Sequence, residues 1–124
     1  MNLALAAALI VANNVAAEPH NAAAEPEPII SIQYGQDLAR FCAGPSQSSG
    51  YRTCFSLVGT VLDVATSEHA VYGLKTCIAP PIGTEKAVAL TIAWLRRHPA
   101  DDIQAASYVV AEALNAAYPC QKDN

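Results

Sequence analysis

The sequence predicts an all-α protein, a compact four-helix domain with two disulfides, and three observations carry that expectation. Apolar residues make up 52% of the 124 residues but aromatics only 6%, so the apolar content is mainly alanine, valine and leucine. Alanine favours helix because it loses no side-chain entropy when the helix forms. Two stretches then repeat one helical template: Tyr51, Cys54, Val58, Val61, Leu62 and Ala65, and later Ile103, Ala106, Val110, Ala113, Leu114 and Ala117. Each set falls on a single face at 3.6 residues per turn. Finally, no segment alternates convincingly as a strand, and the best candidate, Ala70 to Leu74, is too short to set the architecture.

Residues 1–17 read as a secretion signal. Leu3 to Ala12 is an unbroken apolar run, and Val15-Ala16-Ala17 places small residues where a signal peptidase cuts, with cleavage expected before Glu18. Asn13, Asn14 and Pro19 stop the run at about half the length of a membrane span. The first cysteine is Cys42, so no lipid-anchored cysteine is expected and the mature protein should carry no membrane anchor. Residues 18–30 form an acidic spacer rich in Pro and Ala, without apolar periodicity. Residues 31–124 form the helical domain.

Within that domain the first helix spans about Gly35 to Ala43, with Tyr34, Leu38, Phe41 and Cys42 on one face, and Gly44-Pro45-Ser46 ends it. The second runs from Tyr51 to Ala65. The third runs from Thr84 to His98: Thr84 is the expected N-cap, Glu85 suits the positive end of the helix dipole, and Val88, Ile92 and Leu95 point inward. Arg96, Arg97 and His98 compensate the dipole at the other end, and Pro99 terminates the helix. Asp101, with Gln104 three residues on, is expected to cap a last helix that ends at Pro119.

Four cysteines, Cys42, Cys54, Cys77 and Cys120, in a short exported chain point to disulfides. Zinc is the weaker reading, because no short C-x-x-C pair occurs. Three connectivities remain open, and the positions favour Cys42 with Cys54 across the Gly/Pro/Ser turn and Cys77 with Cys120.

From Ile29 onward acids and bases nearly balance, so the net charge of −4 belongs largely to the spacer, and no basic stripe suits nucleic acid. No G-x-S-x-G, H-E-x-x-H or phosphate loop occurs. Glu68-His69 is at best half of an acid–base pair, and a solvated polar turn explains it better. The chain therefore reads as a non-enzymatic binding domain with no cofactor and no metal. Its candidate contact surface is the connection from Ser67 to Ile82, pinned by Cys77 and Pro80-Pro81, with Glu68, His69, Tyr72, Leu74 and Lys75 as partner-binding residues. The plainer reading has Tyr72 and Leu74 merely covering the core.

Several motifs together resemble a known family. Leu38-Ala39-Arg40-Phe41-Cys42 closes the first helix, and Cys54 opens a helix carrying Gly59. Cys77-Ile78-Ala79-Pro80, Trp94-Leu95-Arg96-Arg97-His98-Pro99, and Ala113-Leu114 before Tyr118-Pro119-Cys120 complete the pattern. This resembles the Rap/Tai family of type VI secretion immunity proteins over about Gln36 to Cys120. The resemblance implies a periplasmic all-helical protein, often a homodimer, that binds a peptidoglycan-cleaving amidase effector and blocks its active site. The alternatives are a periplasmic helical chaperone or stress protein with no toxin partner, and a carrier of a small ligand.

Overall fold

The structure, a computed structural model, describes residue 26 and residues 29–67 and 69–121. The expected signal and nearly all of the expected spacer lie outside the described residues. Four helices follow in order: α1 (Gly35–Cys42), α2 (Ser49–Thr66), α3 (Thr84–Arg97) and α4 (Ala106–Ala117), with a 3₁₀ turn (Pro99–Ile103) between the last two. The described chain has no strand beyond isolated bridges.

The first three helices start at residues suited to a helix entry: a polar side chain for α1 and α2, a glycine for α3. Asp37, in the first turn of α1, accepts the backbone N–H groups of Gln33 and Tyr34 at 3.0 Å each. Ser48 caps α2, its Oγ accepting the Tyr51 N–H at 3.1 Å. For α3 the capping position belongs to extended Gly83, one residue before the Thr84 expected from sequence. Thr84 is instead the first helical residue, and its side chain lies where α3 approaches Gly59 of α2.

α2 and α3 pack against each other and against α4, while α1 packs on α2 and on the 3₁₀ turn. The core consists of small and branched side chains. Leu38, Cys54, Val58, Ala87, Val109, Val110 and Leu114 are fully excluded from solvent. Burying side chains of this size contributes about 1.5–3 kcal/mol for each Val or Leu. The α2 stripe read from the sequence is the buried face, from Cys54 to Ala65, with Tyr51 half-buried at its start.

The start of α4 departs from the sequence reading. Asp101 does not cap it, because the Asp101 carboxylate accepts the Trp94 indole N–H at 2.7 Å. Gln104 and Ala105 are extended, and the N-cap is Ala105, which has no side-chain cap. The reason is a partner far away in sequence: Gly35 N–H donates to Gln104 O and Ala106 N–H to Gln33 O, both at 2.9 Å, which bridges Tyr34 to Ala105. Ile103, which matched the helical stripe, is 77% exposed on the 3₁₀ turn.

The disulfides join Cys42 to Cys54 and Cys77 to Cys120. The first clamps the α1–α2 hairpin inside the core. The second ties the α2–α3 connection to the residues after α4.

Candidate contact surface

The α2–α3 connection is a strap laid along α4. After Ser67, whose Oγ donates to Val64 O at 2.8 Å, the chain enters a tight turn closed by two bonds between Val71 and Leu74, at 3.1 and 2.9 Å. Its two central residues, Tyr72 and Gly73, have φ of 54° and 77°. A two-residue turn of this hand favours Gly or Asn at both places. Gly73 fits it without cost, whereas an aromatic residue in the left-handed region is uncommon and must be held there by its surroundings. Two contacts hold Tyr72: its hydroxyl pairs with Ser107 Oγ, and its ring meets Tyr108 edge-on at 5.5 Å. Tyr72 nonetheless remains 57% exposed.

Further along, α4 and the residues that follow it secure the strap at successive points. Asn115 Nδ2 donates to Lys75 O at 2.7 Å, Thr76 bridges to Pro119, and Cys77 N–H donates to Tyr118 O at 2.9 Å. The Cys77–Cys120 bond closes the series. Beneath the strap, Thr66, Lys75, Thr76, Cys77, Ile78 and Ala79 line an open cleft of about 210 Å³.

Of the residues singled out from the sequence, Tyr72, Lys75 and His69 are exposed on this strap. Leu74 is half-buried and packs with Val71 against the core, so here the covering role outweighs a contact role. His69 Nδ1 lies 3.2 Å from Ser67 Oγ and 3.1 Å from Ser67 O, so the imidazole completes a local polar turn. Glu68 lies outside the described residues. Ser107, Tyr108 and Asn115, which position the strap, were not singled out from the sequence. Their one local signal is polar or aromatic chemistry within an alanine-rich helix.

One turn on from Tyr108, α4 carries Glu112, whose Oε1 is buried with no hydrogen-bond partner among the described residues. It faces Asp101, His98 and Tyr108. Burial is the first cause holding its carboxyl above the ordinary value of 4.5, and Asp101 adds to it, both as a partner to the protonated form and as a like charge. His98 and Tyr108 pull the other way. His98 stacks on Trp94 at 3.7 Å, with its Nδ1 3.0 Å from Trp94 O, which gives the basic end of α3 a packing role besides its dipole role.

A raised acid pKa means that the folded state keeps its proton to higher pH than the unfolded state does. Glu112 therefore carries no penalty below pH 4.5, and stability falls as the pH rises through its folded value. Glu112→Gln should be more stable than the wild type at pH 7 and indistinguishable from it near pH 4. Urea midpoints at the two pH values check this.

Among the described residues no cluster of His, Cys, Asp or Glu could hold a metal ion, and no helix is long and apolar enough to cross a membrane. No curated protein and no solved structure matches the chain. The family model of the Rap1a immunity proteins does, over residues 34–120. The matched region begins at Tyr34, where the chain bridges to Ala105, and ends at Cys120, which closes the strap. Two disulfides in a member of an immunity family indicate an exported protein. The chain thus belongs to the Rap1a immunity protein family, and it is a non-enzymatic inhibitor whose partner is a toxin effector.

Proposed function

We propose that the chain is a periplasmic immunity protein that neutralises a type VI secretion peptidoglycan amidase by occluding its active site with the strap from Ser67 to Lys75. Family membership supports the toxin partner, and the resemblance noted in the sequence supports the amidase class. The observation that carries the choice of surface is Tyr72, an exposed aromatic held in a left-handed turn by Ser107 and Tyr108. A segment already fixed before binding gives up little conformational entropy in the complex. A rigid, exposed tyrosine is among the residue types that anchor protein interfaces, and Lys75, exposed on the same strap, adds a cation at its rim. Set across the amidase cleft, the strap excludes the cell-wall peptide without any chemistry of its own.

On this reading residues 1–17 are removed during export and residues 18–30 remain as a spacer ahead of the helical domain. A homodimer, which the resemblance also implies, would present two straps.

Tyr72→Ala should weaken the effector complex by about 2 kcal/mol, roughly 30-fold in Kd, with an unchanged helical spectrum. Titration calorimetry with a purified peptidoglycan amidase recovered in complex with the chain measures it. Wild-type affinity in the variant would remove the strap from the interface.

A further inference from the structure

The two disulfides sit in opposite surroundings. Cys42 is 3% exposed and Cys54 0%, enclosed between α1 and α2. Cys77 is exposed and Cys120 half-buried, and Cys77 lines the open cleft together with Lys75, Thr66 and Thr76. Thiol–disulfide exchange needs a thiolate to reach a sulfur, so access decides which bridge reacts. A cation in the same cleft favours both the incoming and the departing thiolate. The enclosed bridge offers no such approach until the α1–α2 hairpin opens, which is a sub-global unfolding event.

We infer that the Cys77–Cys120 disulfide is a redox modification site, opened selectively by a dithiol reductant, and that its opening releases the strap while the helical core stays folded. One reductant thiolate attacks Cys77 Sγ and forms a mixed disulfide, and Cys120 leaves as a thiolate that takes up a proton. The second reductant thiol then attacks the reductant's own sulfur in that mixed disulfide, and Cys77 leaves and is protonated. Two electrons and two protons pass from the dithiol to the protein, and the reductant departs as its disulfide. What then holds the strap is the Asn115 bond to Lys75 O, the Thr76–Pro119 pairing, the Cys77 N–H bond to Tyr118 O, the packing of Val71 and Leu74 on the core and the Tyr72 contacts, all of them reversible. Loss of effector binding on reduction rests on the strap being the contact surface. The order in which the bridges open does not.

The test treats the full oxidised chain with limiting dithiothreitol, traps thiols with iodoacetamide and maps the labelled peptides. Cys77 and Cys120 should be labelled at least about tenfold faster than Cys42 and Cys54, because only the latter wait for the hairpin to open. Helical circular dichroism should persist, and trypsin should cut after Lys75 faster than in the oxidised protein. The Cys77→Ser/Cys120→Ser variant should show that same tryptic cut with no reductant present. Simultaneous labelling of all four cysteines, loss of the helical signal as Cys77–Cys120 opens, or an unchanged cut after Lys75 would each overturn the inference. Peptidoglycan-hydrolysis assays separate the two readings. Inhibition retained by the selectively reduced wild type but lost by oxidised Tyr72→Ala overturns the switch and upholds the contact surface, whereas inhibition lost in both supports the switch.

Discussion

Replacing Cys77 and Cys120 by alanine together should lower the unfolding free energy by about 4 kcal/mol, the larger of the two disulfide effects. The magnitude follows from the loop each bridge closes: 43 residues for Cys77–Cys120 against 12 for Cys42–Cys54. A longer loop removes more conformational freedom from the unfolded chain, and on the same estimate the shorter bridge contributes about 3 kcal/mol. A domain of this size would then melt roughly 15–30 °C lower. Because the effect acts on the unfolded state, the native helices are unchanged, and a marginal protein with ~5–15 kcal/mol in hand can remain folded. Thermal melts of the double variant beside the wild type, both oxidised, measure the difference. A shift of only a few degrees would contradict the loop-entropy account of this bridge.

Gly35→Ala should cost nearly as much, roughly 3–5 kcal/mol, although it adds a single methyl group. A β-carbon there would fall inside the Asp101 carbonyl oxygen, with the Asp101 carbonyl carbon at 3.0 Å and the Asp102 Cα at 3.2 Å. All three are backbone atoms, so no rotamer change relieves the clash. The first turn of α1 must move off the 3₁₀ turn, and the bonds from Gly35 N–H to Gln104 O and from Ala106 N–H to Gln33 O lengthen or break. Gly59→Ala is the control. Its β-carbon meets only the Thr84 side chain, at 3.4 Å, and alanine in a helix interior gains up to about 1 kcal/mol over glycine. Denaturant titrations of both variants should therefore give shifts of opposite sign. A neutral Gly35→Ala would contradict the close packing of α1 on the 3₁₀ turn.

The helices were legible in the sequence because their stripes are local. Cys54, Val58, Val61, Leu62 and Ala65 recur on one face and are the residues that α2 buries. In α3 the pattern faltered at Thr91, which is fully buried although polar because its Oγ1 donates to Ala87 O at 2.9 Å. The break at Gln104 and Ala105 was illegible for a different reason. Nothing within α4 requires it, since the pairing comes from Gln33 to Gly35. The contact surface followed the same division. A pinned connection holding Tyr72 and Lys75 could be read from Cys77 and Pro80-Pro81. That Leu74 turns inward while Tyr72 turns outward depends on the left-handed turn and on Ser107 and Tyr108, partners some 35 residues away.

A stoichiometric inhibition assay with a secreted peptidoglycan amidase and oxidised full-length chain tests the central claim most directly. The wild type should abolish cleavage of the cell-wall peptide at one chain per effector, and Tyr72→Ala with Lys75→Ala should restore it while keeping the helical fold. Full inhibition by that double variant, or no inhibition of any amidase by the wild type, would contradict the account.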